Sequence, residues 1–197
     1  MQETISSFFF ESKMKRCRRC KCAVFDLDNT LWLPNKNAEY NQRRSSQLRQ
    51  HLEKLKTECG LFLGVASFNI QANDVINSFF PDLFDVVTCC LPDQHYDKKG
   101  LLQKIRKAYA ATHPSQKLKW DEMVFFDDME EVLHRLRQTA PKVKLVQVND
   151  KVGLTSRSLE VLSLEDISEV MKSKAKWSFH LKISFVLFCK NWWTNRE

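Results

Sequence analysis

The chain contains little glycine and little proline, with four Gly and five Pro among its 197 residues. This composition excludes collagen-like and Pro/Gly-rich low-complexity proteins. Long apolar runs are also missing, since no segment reaches the roughly 20 apolar residues that a membrane-spanning helix needs. The run Phe8–Phe10 is short and Glu11 follows it, so we expect no secretory signal. A hydrophobic content of 43% instead indicates a globular protein with a sizeable core.

The net charge of +7 is concentrated at the two ends of the chain. Residues 1–22 and residues 174–197 each carry a net charge of +4, which leaves −1 for residues 23–173. Basic ends can contact RNA or anionic lipid without specificity, but two solvated ends explain the same charges. The nearly neutral central part gives no reason to expect a specific nucleic-acid partner.

This distribution suggests three parts. Residues 1–20 form a basic N-terminal extension, residues 21–173 a folded domain, and residues 174–197 a basic and aromatic C-terminal extension. The last part includes Trp192 and Trp193, and contact with a membrane interface is one of its alternatives, beside an extra helix or a simple tail.

The cysteine pattern does not indicate a disulfide framework, because the seven cysteines are odd in number and irregularly spaced. Cys17, Cys20 and Cys22 form a C-x-x-C-x-C cluster that could bind a metal. A tetrahedral zinc site takes four ligands, however, and no fourth Cys or His is close in sequence. Reduced thiols are the simpler explanation, and we predict a cytoplasmic protein.

Short apolar runs alternate with segments of helical periodicity from residue 21 onward. The predicted strands are residues 22–27, 61–66, 85–90, 122–126 and 143–148. The predicted helices are residues 42–58, 70–80, 98–112, 130–139 and 164–172. The segments 28–40 and 67–69 are predicted to be a polar loop and a turn. This alternation predicts a three-layer α/β/α, Rossmann-like fold around a five-stranded parallel sheet.

Residues suited to phosphate and metal chemistry follow or precede these elements at one edge of the predicted sheet. They are Asp26 and Asp28 after the first strand, Ser67 and Asn69 after the second, Lys98 and Lys99 before the third helix, and Asp127 and Asp128 after the fourth strand. Parallel sheets bind ligands beyond the carboxyl ends of their strands. The order of residues therefore predicts a site rich in carboxylates, with a hydroxyl and a lysine.

The chemistry of such a site follows from the residue types. Neighbouring carboxylates repel each other, and a divalent cation with a preference for hard oxygen ligands, such as Mg²⁺, relieves the repulsion. A carboxylate facing a bound phosphate can attack phosphorus and form an aspartyl-phosphate. A second carboxylate two residues further on can act as general acid and then as general base. The hydroxyl and the ammonium suit the phosphoryl oxygens.

Each of these signals is weak when taken alone. A single D-x-D is usually a solvated turn, Ser67 could simply start a turn or cap a helix, and two adjacent lysines are ordinary surface charges. The joint order of two acidic pairs with a serine and a lysine between them is what indicates a phosphatase.

The same residues resemble a known family. The segment VFDLDNTLW resembles the first motif, D-x-D-x-T, of the haloacid dehalogenase (HAD) superfamily, in the form typical of its magnesium-dependent phosphatase group. FLGVAS resembles the second motif, Lys98 stands at the place of the third-motif lysine, and MVFFDDMEEV resembles the fourth motif. The likeness extends through VKLVQVNDKVGLT and so covers about residues 21–172.

The resemblance implies the roles of the candidate residues. Asp26 would be the nucleophile and a metal ligand, and Asp28 the general acid and base that also lends its main-chain carbonyl to the metal. Thr30 would stabilise the turn after the first strand. The phosphoryl group would be bound by Ser67, Asn69 and Lys98.

The resemblance also implies that Asp127 and Asp128 complete a Mg²⁺ site, one of them directly and the other through water. The motif departs from the group after Ser67, where a basic residue and a small hydroxyl residue are usual and Phe68 and Asn69 stand instead. The departures leave the catalytic core intact and bear on substrate contacts.

The spacing of the motifs leaves no room for a separate cap domain. Roughly 40 residues separate Asp26 from Ser67 and about 30 separate Ser67 from Lys98, which one or two elements consume. We therefore expect a capless HAD fold with the loop Leu33–Tyr40 as its lid.

An open site of this kind admits bulky phosphoproteins and phosphorylated small molecules. This agrees with the phosphotyrosine-type or sugar-phosphate substrates that the resemblance implies. The alternatives are a catalytically inactive HAD-fold binding module and a nucleic-acid end-processing phosphatase. A phospho-receiver domain fits the order of the acidic residues poorly.

Overall fold

The computed structural model describes residues 20–90 and 97–162. The strands are β1 (Cys22–Phe25), β2 (Phe62–Ser67), β3 (Val86–Cys89), β4 (Met123–Asp127) and β5 (Lys144–Gln147). The helices are α1 (Ala38–Thr57), α2 (Ala72–Phe79), α3 (Lys98–Thr112), α4 (Glu130–Thr139) and α5 (Ser156–Leu159). Two short 3-10 helices occupy Trp120–Glu122 and Glu160–Leu162.

The five strands form one sheet in the order β3-β2-β1-β4-β5, and every neighbouring pair is parallel. This confirms the predicted Rossmann-like α/β fold. The central strand β1 is fully buried, as expected of a strand covered on both faces. Phe25 pairs with Phe126 on one side and with Val65 on the other. The residues that follow, Asp26 and Asp127, therefore emerge side by side at the carboxyl edge.

Apolar side chains of α3 and α4 cover one face of the sheet. Leu101 and Leu133 pack there in one cluster with Val24 and Phe125. Because side chains alternate along a strand, Phe25 points to the opposite face, where its ring stacks on Phe126 at a centroid distance of 4.9 Å. Burial of each large apolar side chain stabilises the fold by roughly 1.5–3 kcal/mol.

Helix α1 begins earlier than predicted, which shortens the expected loop 28–40. Asn37 is the N-cap, and its side chain accepts a hydrogen bond from the Tyr40 backbone N–H at 2.8 Å. Asn41 then holds the preceding loop, since it accepts from the Leu33 N–H at 3.0 Å and donates to the Leu33 carbonyl at 2.9 Å. A cap of this kind typically contributes about 1 kcal/mol, which explains why Ala38 is already helical.

Other parts of the prediction also differ from the structure. Ser67 is the last residue of β2, paired with Cys89, and not part of a turn. Helix α2 begins at Ala72, because the Asn69 side chain accepts a hydrogen bond from the Gln71 N–H and holds residues 69–71 in a turn. Helix α5 was not predicted, and Thr155 caps it. The predicted helix 164–172 lies outside the described residues.

Other sequence predictions are only partly covered by the structure. The extensions 1–20 and 174–197 lie outside the described residues except for Cys20, and their boundaries stay predictions. Cys20 and Cys22 are buried and form no disulfide with another described residue, whereas the third member of the cluster, Cys17, is not described. None of the helices within residues 20–90 and 97–162 is long and apolar enough to cross a membrane.

Candidate active site

Asp26 lies directly after β1 at the carboxyl edge of the sheet. Its backbone N–H donates to the Phe126 carbonyl at 2.8 Å, so the ladder between β1 and β4 extends one residue past the strand. Its side chain is 10% exposed and forms an ion pair with Lys98 through Oδ1. A carboxylate that is mostly buried and has a fixed main chain could act as a nucleophile.

Lys98, the first residue of α3, connects three strands of the site. Its Nζ donates to Asp26 Oδ1 and, at 2.7 Å, to the Ala66 carbonyl of β2. The same atom lies 3.3 Å from Asp127 Oδ2. Lys98 is buried and its neighbour Lys99 is half-buried. The structure therefore brings Lys98 to the aspartates, and the phosphate contact of this lysine stays a prediction.

Three carboxylates form a group that could hold a metal ion. One oxygen from each of Asp26, Asp127 and Asp128 lies within 4.8 Å of the others. Asp127 Oδ1 accepts a hydrogen bond from the Met129 N–H at 2.8 Å. Its Oδ2 is buried and accepts no hydrogen bond within the described ranges, although it faces Lys98 across the ion pair. An all-oxygen set that includes a buried carboxylate oxygen without a hydrogen bond fits a hard divalent cation such as Mg²⁺.

The charges of this group are poorly compensated by Lys98 alone. Burial raises the pKa of Asp26 to about 7, although the Lys98 ammonium opposes the shift and the negative Asp127 adds to it. Burial also raises the pKa of Asp127, against the influence of Lys98. The pKa of Asp128 is raised by burial and by Asp127. A cation shared by the three carboxylates would offset this cost.

Asp28 lies beside this group and not within it. Its carboxylate accepts a hydrogen bond from Asn69 Nδ2 at 3.3 Å. Burial raises the pKa of Asp28 above its ordinary value, although the hydrogen bond from Asn69 opposes the shift. Asp28 is half-buried and hydrogen-bonded, and its role as general acid and base stays a prediction. The metal contact through its main-chain carbonyl stays a prediction.

Ser67 and Thr30 are both buried polar residues of the site. Ser67 Oγ accepts a hydrogen bond from the Asn69 N–H at 3.0 Å, which fixes the serine hydroxyl at the strand end. The Thr30 hydroxyl has no hydrogen-bond partner in the described part of the chain. Its main-chain carbonyl, however, accepts from Arg44 and from the Leu154 N–H at 2.9 and 2.8 Å. Thr30 therefore anchors the turn mainly through its backbone.

Three residues shape the site through contacts that sequence reasoning did not predict. The Phe68 ring lies 4.5 Å from Lys98 Nζ in a cation–π contact. Asn29 adopts a positive φ of 56° and donates from Nδ2 to Asp128 Oδ2 at 3.4 Å. Asn tolerates this conformation better than most residues, so its place between Asp28 and Thr30 was a usable signal. Arg44 lies inside a helix and gave no such signal.

A polar surface groove of about 600 Å³ adjoins Asp128. Its lining is acidic and amide-rich, consisting mainly of Asp128, Glu130, Gln147, Asn149 and Asp150. Glu130 also pairs with Arg137. The groove gives a bound molecule room to extend away from the aspartates along the ends of β4 and β5.

Comparison with known proteins shows one similar architecture. No family model and no curated protein matches this chain. A solved structure of the N-terminal part of protein BF1531 from Bacteroides fragilis, containing a phosphatase domain complexed with Mg, is similar with a TM-score of 0.56. The two share 19% identity over 76% of this chain and 42% of that one. The chain thus spans about two fifths of that structure's length, and the likeness shows the fold.

Proposed function

We propose that the chain is a Mg²⁺-dependent phosphomonoester hydrolase of the HAD type that works through an aspartyl-phosphate on Asp26. One observation carries the proposal. The carboxylates of Asp26, Asp127 and Asp128 lie within 4.8 Å of one another at the carboxyl edge of a parallel sheet, and the buried ammonium of Lys98 contacts two of them. The magnesium in the similar phosphatase-domain structure supports the choice of metal for this acidic group.

In the first step, an oxygen of Asp26 attacks phosphorus and the bond between phosphorus and the leaving oxygen breaks. Asp28 gives its proton to that leaving oxygen, so the alcohol departs neutral. Lys98 and the Ser67 hydroxyl hold the phosphoryl oxygens in place. The main-chain hydrogen bond from Asp26 to Phe126 keeps the nucleophile fixed during the attack.

In the second step, Asp28 takes a proton from water, and the resulting hydroxide attacks the phosphorus of the aspartyl-phosphate. The bond from phosphorus to Asp26 breaks, inorganic phosphate leaves, and both carboxyl groups return to their starting state. The Asp26, Asp127 and Asp128 carboxylates would hold Mg²⁺. When bound, Mg²⁺ supplies charge neutralisation for the carboxylates and the phosphoryl group.

The surroundings of the site favour substrates of modest negative charge. The acidic groove beside Asp128 repels the further phosphates of a nucleic-acid strand, which counts against end-processing of DNA or RNA. Its amides and carboxylates suit the hydroxyl groups of a sugar or the main chain of a peptide. We therefore propose phosphotyrosine-type or sugar-phosphate substrates.

A catalytically inactive binding module is the second candidate, motivated by the unusual Phe68 and Asn69 after Ser67. The intact set of Asp26, Asp28, Lys98 and Asp127 argues for catalysis, because an inactive module has no need for a buried nucleophile between two charged neighbours.

Asp26→Asn tests the proposal, with p-nitrophenyl phosphate as substrate and Mg²⁺ present. The amide is isosteric but cannot attack phosphorus, so turnover falls to background while the circular dichroism spectrum stays native. Asp74→Asn, on the exposed side of α2, is the matched control and keeps full activity. Absence of turnover in the folded wild-type protein would instead favour the binding module, and an Asp26→Asn variant of near wild-type activity would refute the mechanism.

A further inference from the structure

Asn69 is fixed through all four of its polar groups. Its backbone N–H donates to Ser67 Oγ at 3.0 Å, and its carbonyl accepts from the Ala72 N–H at 3.1 Å. Its side-chain Oδ1 accepts from the Gln71 N–H at 2.9 Å, and its Nδ2 donates to Asp28 Oδ1 at 3.3 Å. The residue thus ties the end of β2 and the start of α2 to the turn after β1, 41 positions earlier in the chain.

The orientation of the amide is determined by these contacts. A backbone N–H can only donate, so the atom that faces Gln71 must be the amide oxygen. The amide nitrogen then faces Asp28 and donates to Oδ1. The unprotonated oxygen of a carboxylic acid is its stronger acceptor, so this contact favours Oδ1 as the acceptor and Oδ2 as the oxygen that carries the transferable proton.

We propose that Asn69 is a positioning residue that acts through Asp28, holding the carboxyl group so that Oδ2 carries the proton toward the leaving oxygen. This assignment replaces the direct phosphate contact that sequence reasoning gave to Asn69. It rests on the proposed function, since Asp28 has a proton to deliver only if the site cleaves phosphate esters.

Leaving-group dependence separates the two roles. A good leaving group such as p-nitrophenolate departs with little help from an acid, whereas the poor leaving group of phenyl phosphate needs the proton. Loss of a well-placed acid therefore slows phenyl phosphate much more. Loss of a phosphate contact slows both esters equally, because both carry the same phosphoryl group.

Asn69→Ser is the variant of choice, because the serine hydroxyl can still accept from the Gln71 N–H in a turn but is too short to reach Asp28. We expect kcat/KM for phenyl phosphate to fall roughly 10- to 100-fold, as for a misplaced catalytic group. The value for p-nitrophenyl phosphate and the inhibition constant of inorganic phosphate should stay within about threefold of wild type, a range too small to reflect lost acid catalysis. Asn73→Ser, at an exposed position of α2, is the matched control and should change neither of the two kcat/KM values nor the inhibition constant of phosphate.

The outcomes are distinct. An equal fall for both esters with weaker inhibition by phosphate overturns the inference and restores a direct phosphate contact. Wild-type protein that hydrolyses neither ester refutes the proposed function, and the inference with it. If Asn69→Ser does not fold, Asn69→Asp keeps an acceptor for Gln71, and the ratio of kcat/KM between the two esters must show the same leaving-group dependence.

Discussion

Replacing Lys98 by methionine should destabilise the metal-free protein strongly, because the lysine is the charged partner of two buried carboxylates. The side chains of Lys98, Asp26 and Asp127 are 4%, 10% and 1% exposed. Methionine has a similar length but no charge, so the substitution leaves both aspartates buried without a cation. Removing one partner of a buried ion pair costs roughly 3–5 kcal/mol.

The loss of unfolding free energy in Lys98→Met should depend on pH. The pKa of Asp26 is already about 7 in the folded protein, compared with an ordinary value of 3.8. An acid with a raised folded pKa contributes full stability below its unfolded pKa and loses it as the pH rises through the folded pKa. Without Lys98 the folded pKa rises further, so the variant takes up a proton that the wild type has released. The deficit should therefore be larger at pH 8 than at pH 6.

Urea unfolding followed by circular dichroism, in EDTA at both pH values, measures this deficit. The chain provides a matched control in Lys99→Met, since Lys99 is half-buried and forms no ion pair within residues 20–90 and 97–162. The control should stay within about 0.5 kcal/mol of wild type, as is usual for residues near the surface. A Lys98→Met deficit no larger than that of the control, or one that grows toward low pH, would refute the electrostatic reasoning.

Addition of Mg²⁺ and two glycine substitutions test the site and its support. Mg²⁺ should raise the melting temperature more at pH 8 than at pH 6, because a proton on Asp26, whose pKa is about 7, competes with the metal. Calorimetry with and without Mg²⁺ measures the two increases in melting temperature. An equal increase at both pH values, or a larger one at pH 6, contradicts the prediction. Gly153→Ala should lower the free energy of unfolding by about 1–3 kcal/mol. Gly153 has a φ of 70°, and a Cβ there would lie 2.8 Å from the Thr30 carbonyl oxygen and against the Arg44 guanidinium. Gly100→Ala, in a helix where the added Cβ meets only the flexible Asp97 side chain, should be neutral or stabilising in the same urea titration.

The architecture was largely predictable from the sequence. Strands buried on both faces read as continuous apolar runs, and the polar residues after them marked the carboxyl edge of the sheet. Helix α3 at Lys98–Thr112 and helix α4 at Glu130–Thr139 have the predicted bounds. The predicted start of α1 was wrong, because Asn37 and Asn41 determine it through side-chain hydrogen bonds to the backbone. Hydrophobic periodicity gives no information on such hydrogen bonds.

The site was predictable where topology determines it and less so where side chains reach across the fold. Asp26 and Asp127 come together because β1 and β4 are neighbours in a parallel sheet. The choice of Lys98 over Lys99 depends on which face of α3 turns toward Asp26, and two adjacent lysines at a helix start do not reveal it. Arg44 donates to carbonyls as distant as Leu154, 110 positions along the chain, and nothing in its local sequence indicates this.

The two residues that depart from the motif after Ser67 are therefore best understood by what they contact. Phe68 stands where a basic residue is usual in the group that the sequence resembles, and its ring lies over the Lys98 ammonium at 4.5 Å. Asn69 stands where a small hydroxyl residue is usual, and its amide reaches Asp28. One departure contacts Lys98 and the other contacts Asp28, the proposed proton donor. Because both contacts are made by adjacent residues at one strand end, we interpret the departures as a change in how the site is held and not as the loss of its chemistry.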